Sequence, residues 1–209
     1  MRRPRRGFAV PTRVLLICAA LAGIHAVLHL LTLPLLSVLA PAAPPAYALV
    51  ASLHSLMPFL ARRVTRVPGT ALITSAIAAV FVAATSSLGL IALIPLVLTG
   101  VVIDAVIWTS DTDGVRRETR FVVAGVSAGI ALWAVSLTVF SPDHLTAAML
   151  VATLAARVAG ELAVVALSRA VAAALARAGV GRARAPQSGQ PKGSGESGQP
   201  KGSGETGLS

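Results

Sequence analysis

The stretch Ala61-Arg62-Arg63-Val64-Thr65-Arg66-Val67-Pro68-Gly69-Thr70-Ala71-Leu72 sets three arginines, a proline and a glycine between two long apolar runs. Arginine at the centre of a bilayer costs about 2.5–3.5 kcal/mol on insertion scales. The expectation is that these arginines sit in water or among headgroups, on a loop joining two membrane helices. Most of the chain is too apolar to do the same, so placing this loop fixes the topology around it.

The composition agrees. Of 209 residues, 55% are hydrophobic and only 12% charged, about half the charged share of an ordinary soluble domain. Mean hydropathy is +0.79, and several apolar runs approach bilayer length. The formal charge of +10 would suggest nucleic acid in a soluble protein. Here the basic residues gather at helix ends and in the tails, the pattern of an orientation signal. With an aromatic share of 4%, base-stacking surfaces are not expected and nucleic acid is excluded as a partner. The lone Cys18 lies in the first apolar run, which rules out an intramolecular disulfide.

Outward from the arginine loop, helix 2 precedes it over about Ala46–Leu60, and helix 3 follows from Thr70 to about Thr85. Helix 1 is read from Arg13 to Leu33, ended or kinked by Pro34. Its basic leader, with Arg5-Arg6, has the look of a twin-arginine export signal. The apolar run to Leu39, however, exceeds the roughly 7–15 residues of a cleavable signal, so a retained helix is the better reading. Helix 4 spans about Leu88–Thr109 after the break at Ser86, Ser87 and Gly89. Helix 5 runs from the charged segment Ser110–Arg120 to Phe140, and helix 6 from His144 to Ala178 after a cap at Ser141-Pro142-Asp143.

These elements predict an all-α fold, a polytopic membrane protein built as a bundle of six transmembrane helices. Residues 1–12 form a basic tail, 13–181 the transmembrane domain, and 182–209 a disordered tail in which Ser188–Glu196 repeats as Ser197–Glu205. With six spans and a cytoplasmic N-terminus, every arginine cluster falls inside and the outer loops hold no lysine or arginine. Both termini are thus expected in the cytoplasm of a bacterial cell whose inner membrane the chain crosses repeatedly.

Catalytic signatures are missing. There is no phosphate-binding loop, no HExxH and no GxSxG, so no enzymatic activity, cofactor or metal is expected, and ATP-driven work would fall to a partner. Asp111 and Asp113 among arginines read as a solvated charge cluster or, alternatively, a metal–phosphate contact. Within the spans, Arg157 and Glu161 are four apart on helix 6 and share a face. They are either a self-neutralised packing pair or a polar site facing the bundle interior. His25 and His29 share a face of helix 1, and His54 lies on helix 2; neutral imidazoles bonded to neighbouring helices are the simpler reading, with a ligand contact or a metal site as the alternatives. Asp104 is placed to pair with a loop arginine, and Trp108 to anchor at the interface. Ala19, Ala22, Gly23 and Ala26 form a small-residue stripe on helix 1, suited to close helix approach.

The sequence Arg66-Val67-Pro68-Gly69-Thr70-Ala71 and the terminal Ala174-Leu175-Ala176-Arg177-Ala178-Gly179-Val180 resemble segments of the S component of an energy-coupling factor (ECF) vitamin transporter. The likeness is nearest to the hydroxymethylpyrimidine/thiamine-type members and covers roughly residues 13–181. It implies a membrane-embedded, non-enzymatic binding subunit for a vitamin-like small molecule. Ala22 and Ala26, with Ala19 and Gly23, would contact a transmembrane coupling subunit driven by two cytosolic ATPases. Substrate would enter from outside and be held by the outer halves of helices 4–6. Candidate contacts are Glu161 and Arg157 for polar groups, Trp133 for stacking, and Tyr47 or His144 as a lid. The chain begins Met1-Arg2-Arg3 without the Met-His start of metal-transporting members, which argues against metal uptake.

Overall fold

The computed structural model describes residues 10–85, 93–108, 115–140 and 146–179. Among these, the regular structure is entirely helical. Seven α-helices follow one another: α1 (Thr12–Ala42), α2 (Pro44–Ser52), α3 (Leu56–Thr65), α4 (Thr70–Thr85), α5 (Leu93–Val106), α6 (Val115–Ser136) and α7 (Ala147–Arg177). A single 3-10 turn, Leu53–Ser55, joins α2 to α3. Three helices, α1, α6 and α7, are long and apolar enough to cross a membrane. Their outer faces carry large exposed apolar side chains, among them Leu16, Leu31, Val38, Val123 and Val151, as lipid-facing helices do. These features are those of a helical membrane protein.

The helices form a ring in which α1 packs on α4, α4 on α5, α5 on α6, α6 on α7, and α7 on α2 and α3, which return to α1. α3 touches α1, α4, α5 and α7 and is the most enclosed element. One core cluster joins Phe59 to Ala71, Ile103, Phe121 and Val164, drawing on five helices. A second joins Leu21, Met57, Leu60 and Ala61. Small residues set the closest approaches. A Cβ at Gly160 would run into the Ser52 side chain, and one at Gly100 would lie 2.7 Å from the Leu72 backbone, so α2–α7 and α4–α5 owe their spacing to these glycines.

Several boundaries differ from those expected. Pro34 does not end α1, which continues through it and Pro41 to Ala42. In an apolar setting a helix with proline keeps its course when neighbouring helices hold it, and α1 packs on α4, α2 and α3. The hydroxyls of Thr32 and Ser37 fold back onto the Leu28 and Pro34 carbonyls at 2.9 and 2.8 Å and do not replace the donor that Pro34 denies to the Leu30 carbonyl. Helix 2 is two helices rather than one. Pro58 has no N–H to offer the carbonyl of His54, and the backbone tightens into the 3-10 turn just before it. The last helix is capped by Thr146, whose hydroxyl accepts from the Met149 N–H at 3.3 Å, while 141–145 lie outside the described residues, as do the repeated tail, Asp111 and Asp113.

The largest correction concerns the opening stretch. Arg62 and Arg63 are not in a solvated loop. They belong to the last turns of α3 and are 2% and 6% exposed. Arg62 Nε lies 3.4 Å from Asp104 Oδ1, and its Nη2 donates to the Ile107 carbonyl. Asp104 Oδ2 in turn accepts from the Leu72 N–H at 2.8 Å, capping the start of α4. Arg63 donates through Nη1 and Nη2 to the two oxygens of Glu118 at 2.9 and 3.1 Å, and through Nε to Ser168 Oγ at 2.9 Å. Its guanidinium also lies 3.8 Å over the Phe121 ring. The cost of a lone arginine in lipid does not apply, because both arginines arrive with acids from other helices. Only Arg66, at φ 56 in the left-handed C-cap of α3, faces outward.

Candidate functional site: a buried polar band between α1, α2–α3 and α7

One turn-and-a-half from the apolar seam around Leu60, the interior becomes polar. Glu161 on α7 is fully buried, and Arg157, one turn earlier, nearly so. The four-residue spacing brings Arg157 Nη2 to 3.4 Å from Glu161 Oε1. Ser55, held by the 3-10 turn, donates its hydroxyl to the same Oε1 at 2.9 Å. Ser52, a turn earlier, donates to the Ala48 carbonyl at 2.9 Å and faces the Arg157 carbonyl at 3.4 Å. The tightened backbone thus aims two hydroxyls at one face of α7.

The histidines lie beside this pair. His54 Nδ1 faces the Ala51 carbonyl at 3.2 Å, which assigns the proton to Nδ1 and leaves Nε2 an acceptor. His29 Nδ1 approaches that Nε2 at 3.3 Å, and Thr32 Oγ1 at 3.2 Å. His25, fully buried, stacks obliquely on His54 with ring centroids 5.5 Å apart. His54 directly precedes Ser55 on the 3-10 turn, and Ser55 bonds Glu161, so the two groups make one band. No set of three or more ligating side chains suited to a metal occurs among the described residues.

Within this band hydrogen-bonding capacity is left over. Glu161 Oε2, Arg157 Nε, His29 Nε2, both ring nitrogens of His25 and Thr153 Oγ1 are buried with no hydrogen-bond partner among the described residues. Orphaned buried polar atoms cost about 1–3 kcal/mol each, and native proteins hold few of them outside sites of function. Chemically the band offers one carboxylate oxygen, imidazole edges that donate or accept, and a guanidinium N–H. That set suits a small polar solute carrying both donors and acceptors.

Of the residues singled out from sequence, Arg157 and Glu161 are in the band. Tyr47 is close enough for its hydroxyl to interact electrostatically with Arg157, and its ring meets Phe140 edge-on at 5.8 Å. Trp133 is half-buried one turn beyond Gly129, which itself packs on Val158 and Glu161, and its indole N–H has no partner among the described residues. His144 lies outside the described residues. Ser52, Ser55 and Thr153 were not anticipated; single hydroxyls in apolar runs give no sequence signal. On α1, Ala19 is exposed and Gly23 and Ala26 are half-buried, but Ala22 packs fully into the bundle and does not reach the outer surface. Comparison of the chain with protein-family models, curated proteins and solved structures finds no match.

Proposed function

We propose that the protein is a membrane-embedded substrate-binding subunit of an ATP-driven uptake transporter for a vitamin or vitamin precursor, possessing no catalytic activity of its own. The single observation that carries this reading is the orphaned polar band: a charge pair and a histidine cluster buried in an apolar bundle with hydrogen-bonding atoms left unused. Arg157 and Glu161 neutralise one another, so the solute they serve is a neutral or weakly charged polar molecule. Tyr47 and Trp133 supply aromatic surface near the band, and His144, outside the described residues, is proposed as a lid.

In this reading α1, α2–α3, α4, α5, α6 and α7 are six spans. Supporting it, all described arginines except Arg157 lie toward one end of the bundle, where the start of α1, the end of α3, the start of α6 and the end of α7 meet. That end is cytoplasmic by the positive-inside rule, which puts both termini inside. Ala19, Gly23 and Ala26 give α1 a smooth outer face for a transmembrane coupling subunit, itself driven by cytosolic ATPases.

A packing role describes Arg63 better, because its guanidinium is filled by Ser168, Glu118 and the Phe121 ring. It leaves the orphaned atoms of the band without an account. The test is to purify the protein in mild detergent and identify small molecules that copurify, then titrate labelled vitamins. Binding at micromolar affinity or tighter that is lost in Glu161→Gln supports the proposal; an intact protein that binds none of them sinks it.

A further inference from the structure

At the basic end, α6 and α7 enclose an open groove of about 540 Å³ lined by Val115, Arg117, Glu118 and Arg169. Both oxygens of Glu118 are engaged by Arg63 from inside the bundle. The acid is thereby neutralised by a residue that does not line the groove, and the other charged side chains in its described lining are the cations Arg117 and Arg169. Arg169 is exposed, and its electrostatic partner here is the already engaged Glu118. Arg117 is drawn in by a bond from Nη2 to the Arg63 carbonyl at 3.1 Å.

Helical spacing continues the groove into an apolar track. Val122 stands four residues after Glu118, and Leu162 seven before Arg169, so each shares the face of its charged neighbour. Both are exposed. Trp108, 72% exposed at the end of α5, marks the same end as a headgroup-depth residue. Two cations at the mouth and apolar side chains below match one amphiphile: a phosphate monoanion with acyl chains.

We propose that this groove is a binding site for one anionic phospholipid, its phosphate between Arg117 and Arg169 and its chains along Val122 and Leu162. The site exists because Arg63 cancels Glu118; without that internal ion pair the carboxylate would repel the phosphate. The inference rests on the bilayer placement of the helices and not on solute binding, so failure to bind any vitamin leaves it standing.

The test is native mass spectrometry of the purified full chain given dioleoyl-phosphatidylglycerol, dioleoyl-phosphatidylcholine or inorganic phosphate. One phosphatidylglycerol should be retained in preference to phosphatidylcholine, and millimolar inorganic phosphate should not displace it. Arg169→Gln should lower its occupancy about fivefold, the worth of one basic residue near an anionic surface. Glu118→Gln should raise it, and Arg177→Gln, outside the groove, should leave it unchanged. Equal retention by Arg169→Gln would overturn the site. So would equal loss in Arg177→Gln, which would mean a general field, displacement by inorganic phosphate, which would mean a free-anion site, or an acidic protein held there in place of lipid.

Discussion

Two arginine–carboxylate groups are buried in this bundle, and they are finished to different degrees. At the basic end Arg63 spends Nε on Ser168, both terminal nitrogens on Glu118, and its face on Phe121. Arg62 and Asp104 stand between the two extremes: they bind backbone groups of α5 and α4, yet meet at 3.4 Å with Arg62 Nε and Asp104 Oδ1 left without a hydrogen bond among the described residues. In the polar band, Arg157 and Glu161 touch through one contact at 3.4 Å, and each keeps a buried atom unpaired. Arg63 and Arg157, equally buried, thus make a fastener in one place and an open valence in the other. What separates them is the number of partners, not the presence of charge. A saturated pair ties helices together, and an unsaturated one is held ready for a third party.

That contrast is strongest for Asp104→Ala, which strands Arg62 without its counter-charge and removes the acceptor of the Leu72 N–H. A loss of about 3–5 kcal/mol is expected, read as a lowered unfolding midpoint in detergent; an unchanged midpoint would mean that the fastener holds nothing. Next come the paired apolar replacements. Arg157→Met with Glu161→Leu should leave stability unchanged or raised by about 1–4 kcal/mol, while abolishing solute binding. Arg62→Met with Asp104→Leu should instead destabilise by about 1–3 kcal/mol, because the Ile107 carbonyl and Leu72 N–H lose their partners. Were both doubles to behave alike, the distinction would collapse.

Ser55→Ala deletes a hydrogen bond to a charged oxygen, and about 1.5–3 kcal/mol should be lost, with solute affinity falling as Glu161 swings free. The smallest effect belongs to His25→Leu. Its ring nitrogens are orphaned, so stability should stay within about 0.5 kcal/mol of wild type or rise, whereas His54→Leu, with three polar neighbours, should melt earlier. Circular dichroism of the two variants side by side decides it.

Much of the helical content could be read from the chain. The Pro68-Gly69 turn and the start of α4 at Thr70 follow from local chemistry, and Gly69 adopts the positive φ of 87 that such a turn needs. What could not be read was the partnering. Asp104 and Glu118 lie 42 and 55 positions beyond Arg62 and Arg63, and a cost assigned to arginine alone presumes no acid comes to meet it. Arg157 and Glu161 were visible because a helix places residues four apart together. Their link to Ser55, 106 positions away, and the meeting of His29 with His54 depend on how α2–α3 docks against α1 and α7. The path of α1 through Pro34 was hidden too, since proline's local cost says nothing about the helices α1 packs against.

The burial of Arg63 also dictates an order of events during synthesis. Its acceptor Glu118 is made 55 residues later and its partner Ser168 105 residues later. At about 5–20 residues per second, these arrive roughly 3–11 s and 5–21 s after it. Until then α3 carries an unmatched cation, so its full entry into the bundle waits for α6 and α7. Nascent chains arrested after α5 should therefore leave the thiol of Leu60→Cys, in a Cys18→Ser background, open to a water-soluble thiol reagent, and chains arrested beyond α7, which packs over position 60, should close it off. The element that ends up most enclosed is among the last to be sealed.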